Sequence, residues 1–285
     1  MTPDQKIRVE QAAGSRVVHL SPLTGGCLAE VLRADLEDGR SLAVKAGKKA
    51  DRLDIEGRSL HALGEGAGLP VPQVYLNDPD LLVMALLPND GRLDAVAQEN
   101  AARLIAALHS MPQEFYGFTE DTRIGPLTQP NTRSKQWVSF FRDQRLLSMG
   151  RVALERGGLS APVYSDLERM AARLDSLIDE PAYPSLLHGD LWAGNVLTSD
   201  GRIMGFIDPA IYQGDAEMDL AFSTLFGTFG NRFFDAYRAI RPFDYAGFMD
   251  VRRDVYNLYP LLVHAALFGG GYANSVSRII RRVVG

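Results

Sequence analysis

Over the first third of the chain, apolar residues alternate or run together in short bursts; beyond it they recur with a helical period. Residues 16–23 (RVVHLSPL), 28–34 (LAEVLRA) and 40–45 (RSLAVK) are broken at Gly25-Gly26 and Asp38-Gly39, which predicts an antiparallel meander. A helix is expected over 51–64, then strands at 72–76 and 81–86 around the turn signal Asn77-Asp78-Pro79. Helical patterning follows at 92–110, 134–149, 163–179, 215–227, 230–240, 245–257 and 259–268. The expected class is α+β and bilobal. An N-terminal antiparallel sheet lobe with one main helix (1–88) joins a larger, mainly helical lobe (89–285) through residues 87–91. The Pro-rich stretch 112–130 is too long for a plain connector, and long ordered loops are disproportionately functional.

One segment interrupts the helices. LLHGDLWAGNV at 186–196 and GFIDPA at 205–210 enclose LTSDGRIM, whose Asp200-Gly201 pair is a strong hairpin signal because Gly accepts the positive φ such a turn demands. Folding back there brings Asn195 and Asp208 to the same open end of a two-stranded ribbon, where two oxygen-bearing side chains can share a metal ion. Asp190 stands one short loop away. Asp, then Asn, then Asp is the order in which kinases place their base and their two Mg²⁺ ligands. Taken singly, His-Gly-Asp is a turn, Asn195 a cap and Asp208-Pro209 a strand terminator; together they form a phosphoryl-transfer site.

A matching nucleotide half lies upstream. Gly25 and Gly26 let backbone N–H groups approach phosphate oxygens, although a Gly-Gly pair between strands also serves as a simple hairpin turn. The segment is not a Walker A loop, which needs Gly-x₄-Gly-Lys-Ser/Thr. Lys45 ends an apolar strand and needs a partner; Glu56 on the following helix is the candidate, and the pair would hold the α- and β-phosphates. Residues 81–87 (LLVMALL) lead into the lobe junction. Backbone groups of Ala85, Leu86 and Leu87 are placed to read adenine, with Met84 packing behind.

Composition narrows the class. A chain of 285 residues with 46% hydrophobic and 23% charged residues is an ordinary globular protein. A net charge of −5 argues against nucleic acid as a partner. No basic-then-apolar leader and no apolar run of about 18 residues appears, so a cytoplasmic protein without membrane contact is expected. The single cysteine, Cys27, excludes an internal disulfide and a multi-Cys zinc site.

With these motifs in order, the chain resembles the aminoglycoside-phosphotransferase-like branch of the protein-kinase fold. Further segments narrow the resemblance to the fructosamine kinase (ketosamine-3-kinase) family: LTGGCLAE at 23–30, YGF at 116–118, TQPN at 128–131, WVSFFRDQRL at 137–146, IDPAIYQGDAEMDLAF at 207–222 and NLYPLLVHAALFGGGY at 257–272. The resemblance implies ATP- and Mg²⁺-dependent phosphorylation of the 3-hydroxyl of a ketosamine, the adduct of a sugar and an amine. Phosphate beside the C2 carbonyl makes that adduct prone to elimination, which frees the amine or glycated protein.

Carried over by position, Asp190 is the catalytic base, Asn195 and Asp208 the Mg²⁺ ligands, and Lys45 the phosphate holder oriented by Glu56. Asp219 braces the catalytic loop. Trp192 flanks the sugar, Asp215 and Glu217 offer acidic acceptors to its hydroxyls or amine, and His264 lines the same cleft; Trp137, Phe140 and Phe141 are core. Val263 and Ala266 stand where the family often has Asn, which touches substrate detail and not phosphoryl transfer. Gly189 replaces the Arg of protein kinases, so control through a phosphorylated activation loop is not expected. Cys27, beside the anion site, is either a small packing residue or a redox-sensitive thiol linking two protomers, so the chain is a monomer or a redox-linked homodimer. A kinase of another small alcohol, such as an aminoglycoside, and an inactive kinase-like binding module remain open.

Overall fold

Thr2 and Gln5 open the chain on a helix that the alternation of the first third does not announce. In the computed structural model, which describes residues 1–23 and 30–284, Gln5 N donates to Thr2 Oγ1 and Thr2 N to Gln5 Oε1, a capping box with Pro3 in the first turn. The helix, α1 (Pro3–Ala13), stops at Gly14 in the left-handed conformation. It buries Val9 and Ala13 on a sheet face formed by Leu32, Ala34, Leu42 and Val44.

The sheet contains β1 (Val17–Pro22), β2 (Glu30–Leu36) and β3 (Ser41–Ala46); after α2 (Leu53–His61) come β4 (Val74–Asp78) and β5 (Leu81–Ala85). All pairings are antiparallel in the order β1-β2-β3-β5-β4, so β3 is central. The two-residue period of a strand puts Val44 on the α1 face and Ala43 on the opposite face, where α2 packs through Leu53 and Leu60 against Leu82 and Met84. Lys45, register partner of Leu82, therefore points toward α2.

The helical lobe begins with α3 (Ala95–His109), capped by Asp94. Next come the hairpin strands β6 (Thr122–Ile124) and β7 (Leu127–Gln129), then α4 (Trp137–Phe140), which runs through a π-helical turn into α5 (Ser148–Glu155). After α6 (Ala161–Ala171) lie β8 (Ser185–Leu187), the ribbon β9 (Val196–Ser199) and β10 (Arg202–Phe206), and β11 (Tyr212–Gly214), which pairs with β8. Helices α7 (Glu217–Leu225), α8 (Asn231–Ile240), the short α9 (Tyr245–Gly247), α10 (Arg253–Phe268) and α11 (Gly271–Val284) complete it. Trp137, Phe140 and Phe141 stack within its core, as expected. No helix among the described residues is long and apolar enough to cross a membrane.

One expectation needs correction here. The pattern parts 245–257 from 259–268, yet α10 runs unbroken across residue 258 and through Pro260. A mid-helix proline costs about 3 kcal/mol, and burial of Tyr256, Leu258, Tyr259, Leu261 and Leu262 outweighs that. The Pro-rich stretch 112–130 is ordered: Thr122, Ile124, Leu127 and Gln129 are buried, and the hairpin bonds the carbonyls of Ala210 and Ile211, just past the ribbon. Residues 89–91 are clasped to that ribbon, with Thr198 N donating to Asn89 Oδ1 (3.1 Å) and Gly91 N to Thr198 O (2.9 Å).

Candidate active site

The ribbon turns at Asp200 (φ 49°) and Gly201 (φ 69°), the two positive φ values of a type I′ turn. Val196 pairs with Phe206, and one step further Ile207 N donates to Asn195 O (3.0 Å), so Asn195 and Asp208 flank the open end together. Asp208 itself holds φ 54°, a left-handed conformation that short polar residues tolerate best.

Asp190 reaches the same end through a tightly specified loop. Gly189 has φ 82°, and a Cβ there would sit 2.0 Å from Ala210 O, so the Gly of His-Gly-Asp is a steric requirement. Asp219 accepts from the backbone N–H of His188 and of Gly189 (2.8 Å each) and from His109 Nε2 (3.2 Å). Burial would raise the Asp219 carboxyl, but these donors and nearby His109 and His188 hold it below the usual carboxylate range. The buried His188 donates from Nε2 to Ile207 O (3.1 Å) and accepts at Nδ1 from Asp190 N (3.3 Å). Burial lowers its pKa, so the neutral ring stitches the Asp190 loop to the strand leading into Asp208.

Asn195 Nδ2 donates to Asp190 O (2.9 Å) and Asp190 Oδ2 (3.0 Å). Lys45 Nζ bonds both oxygens of Glu56 (2.8 and 2.9 Å) and also Asp208 Oδ1. Burial pulls the Lys45 ammonium down, but Glu56 and Asp208 outweigh it and the group stays charged. Burial pushes Glu56 up, against the pull of Lys45. Asp190 is pushed up to about 7, chiefly by burial; the Asn195 bond opposes this, while the negative charges of Asp208 and Asp219 add to it. The structure thus brings two bonded groups to one ribbon end, Glu56–Lys45–Asp208 and Asn195–Asp190, joined through the backbone bond from Ile207 N to Asn195 O.

Among the described residues, Asn195 Oδ1 and Asp208 Oδ2 accept no hydrogen bond, and no cluster of three His, Cys, Asp or Glu side chains forms a metal cage. Two free hard oxygens without a cage suit a cation that keeps phosphate and water among its ligands, which is the habit of Mg²⁺. Of the expected adenine readers, Ala85 N–H already donates to Gln73 O (2.8 Å), leaving the groups of Leu86 and Leu87. The Leu87 side chain lies against Gly205 of the ribbon, where a Cβ would approach its Cδ1 to 2.4 Å. Gly25, Gly26 and Cys27 lie outside the described residues.

The acceptor side differs from the expectation. Asp215 is buried, accepting from Tyr256 OH (2.6 Å) and Glu217 N (2.9 Å), and Glu217 forms a two-pronged ion pair with Arg252 (2.7 and 2.9 Å). The resemblance implied open acceptors, but the partners Arg252 and Tyr256 lie 35 and 41 residues downstream and use both carboxylates in packing. Trp192, by contrast, is 40% exposed. Its ring meets Phe226 (6.1 Å), which meets His264 (5.1 Å), and His264 meets Tyr272 (4.9 Å) and Phe268 (5.7 Å). His264 Nδ1 donates to Pro260 O (2.7 Å), and burial lowers its pKa, so Nε2 presents a lone pair. The sequence offered Trp192 and His264; Phe226 joins them only through tertiary packing. Two surface cavities of about 390 and 220 Å³ contain none of these residues.

Comparison with known proteins places this geometry. The sequence model of the fructosamine kinase family matches residues 1–285. A probable ketoamine kinase of Vibrio parahaemolyticus is 32% identical over 269 residues, 92% of this chain and 91% of that one. One from Staphylococcus aureus is 33% identical over 280 residues, 94% of each. The crystal structure of a "putative fructosamine-3-kinase" from Thermobifida fusca superposes with a TM-score of 0.87 at 32% identity, covering 98% of both chains. A thermostable mutant of aminoglycoside phosphotransferase APH(4)-Ia, in a ternary complex with ADP and hygromycin B, gives 0.67 at 19% identity over 100% of both chains, a likeness of fold: the bilobal, protein-kinase-like one.

Proposed function

The chain belongs to the fructosamine kinase family, and from that premise we propose that it uses ATP to phosphorylate the 3-hydroxyl of a ketosamine, promoting release of the glycated amine. The observation that carries this reading is the bonded series from Glu56 through Lys45 to Asp208, with Asn195 bound to Asp190 at the same ribbon end.

In this reading Lys45 exchanges its bond to Asp208 for nucleotide phosphate oxygens while Glu56 keeps it oriented. Asn195 Oδ1 and Asp208 Oδ2 would hold Mg²⁺, which when bound neutralises charge developing on the phosphates. Asn195 Nδ2 pins one oxygen of Asp190 and leaves Oδ1 to accept the proton of the C3 hydroxyl as its oxygen takes the γ-phosphoryl group, giving ADP and the 3-phosphoketosamine. A carboxyl near pKa 7 suits this task, since a general base works best when poised close to operating pH. Trp192, Phe226 and His264 would face the sugar and its amine, with aromatic faces in place of the carboxylates first expected there.

The test is ADP release with Mg²⁺ and ATP against fructosyl-, ribulosyl- and erythrulosyl-lysine, with an aminoglycoside in parallel. Turnover of at least one ketosamine is expected. Turnover of the aminoglycoside alone refutes the proposal, and nucleotide binding without any turnover favours a binding module. Trp192→Ala is expected to raise KM for the ketosamine about tenfold, a loss of about 1.4 kcal/mol, with kcat and KM for ATP within about threefold of wild type. An unchanged acceptor KM would remove Trp192 from the acceptor site.

A further inference from the structure

Glu56 and Asp208 must stand a fixed distance apart for Lys45 and a nucleotide to fit between them, yet they belong to different lobes. Both are tied to the hairpin of β6 and β7. On one side, Glu120 takes the guanidinium of Arg58 in two parallel bonds, Nε to Oε1 (2.7 Å) and Nη2 to Oε2 (2.9 Å). Arg58 lies two residues after Glu56 on α2 and is steadied by Asp54 (2.7 Å). On the other side, Thr122 Oγ1 donates to Ile211 O (3.0 Å) and Gln129 Nε2 to Ala210 O (3.0 Å), so the strip following Asp208 hangs from the hairpin by two carbonyls.

The hairpin is itself anchored. Tyr259 OH donates to Gln129 Oε1 (2.8 Å), and Arg145 donates to Asn131 Oδ1 (2.7 Å) and Pro130 O (2.6 Å). Arg145 is fully buried, and its guanidinium stacks 3.9 Å from the centre of the Tyr212 ring. Asn131 Nδ2 in turn holds Glu120 O (3.0 Å) and Thr122 Oγ1 (2.8 Å). The path from Arg58 to Ile211 therefore runs through consecutive bonds in one short, braced segment.

We propose that Glu120, through its ion pair with Arg58, is a positioning residue that latches α2 to the hairpin carrying the Asp208 strip and so sets the Glu56–Lys45–Asp208 spacing for nucleotide. It rests on the nucleotide assignment made above. In protein kinases phosphorylation of an activation loop controls the same helix; here a permanent carboxylate does so, in a chain with Gly189 where those enzymes carry Arg. The pair is exposed on both sides, and ion pairs in that setting add little to stability. Its loss therefore perturbs alignment without unfolding the protein.

The test is Glu120→Arg, which repels Arg58, alone and combined with Arg58→Glu. Couplings between sites typically amount to 5–150-fold. Toward the lower end of that range, roughly a tenfold loss of kcat/KM for ATP and of calorimetric ATP affinity is expected in Glu120→Arg. KM for fructosyl-lysine should stay within about twofold and Tm within about 2 °C. The double variant, which restores opposite charges at positions 58 and 120, should recover to within about threefold of wild type. Unchanged ATP affinity in Glu120→Arg, or a double variant as impaired as the single, would overturn the latch. Should Glu120→Arg not fold, Glu120→Gln carries the test, with about a threefold loss expected and none overturning the proposal. A wild type that turns over no ketosamine sinks the proposed function, and the ATP affinities then still decide the latch.

Discussion

Asp208→Asn is expected to abolish turnover, lowering kcat/KM by on the order of 10³-fold or more, since metal stabilisation of a transferring phosphoryl group is worth several kcal/mol. The fold should survive. Asp208 occupies a left-handed φ of 54°, which Asn also adopts with little strain, and the strip beyond it stays hung from Thr122 and Gln129. Lys45 keeps both bonds to Glu56, so no buried ammonium is left alone. The discriminating measurement is nucleotide affinity with and without Mg²⁺. In the wild type Mg²⁺ should tighten ATP binding, and in Asp208→Asn that enhancement should disappear while metal-free affinity changes little. Asp208→Ala should lose activity equally but also lose stability, about 1 kcal/mol, because alanine pays the left-handed penalty that Asn avoids. Activity within tenfold of wild type in Asp208→Asn would remove the residue from the metal site.

What the chain reveals before folding follows the range of the interactions concerned. The ribbon was legible because Asp200-Gly201 acts within four residues, and its closure brings Asn195 and Asp208 together by strand geometry alone. The Lys45–Glu56 pair was legible because a lysine in an apolar central strand demands a partner and the next helix offered one. The capping box of Thr2 and Gln5 was equally local, but no apolar period followed it and the helix passed unnoticed. Asp215 and Glu217 read as open acceptors since nothing nearby in sequence predicts Arg252 and Tyr256 closing over them. Glu120 and Thr122 carried no signal either, and Gln129 only as part of the TQPN segment, not as a support. Their partners lie 62, 89 and 81 residues away, and a Pro-rich stretch does not declare that it will hold a catalytic strip. Chemistry written into one loop could be read from residue order; chemistry assembled by supports could not.

Asp190→Asn separates catalysis from stability in a way a supporting residue would not. Loss of the base should lower kcat by at least about a hundredfold, the lower bound for a positioned general base, with ATP affinity within about threefold because the carboxylate acts mainly in the transition state. In the wild type, kcat/KM for the ketosamine should fall as pH drops through about 7, where Asp190 takes up its proton. Stability should move the other way. Burial raises this carboxyl in the folded protein from 3.8 to about 7, while the unfolded chain ionises near the ordinary value. Between the two, the folded state binds the extra proton, so wild-type stability declines as pH rises from about 4 to 7 and bears the full cost of ionisation above that. Asn carries no such cost and can still accept from Asn195 Nδ2. Because Asp190 is only partly shielded, about 1–2 kcal/mol is expected rather than the whole linkage figure. For a protein of this size that is a rise in Tm of about 2–5 °C at pH 8, shrinking toward nothing at pH 5. An inactive variant whose Tm tracked the wild type at every pH would mean that the carboxylate is not held against its solvation, and the base would have to be sought elsewhere. Loss of activity with a pH-dependent gain in stability is the signature of a carboxylate held against its solvation for proton transfer.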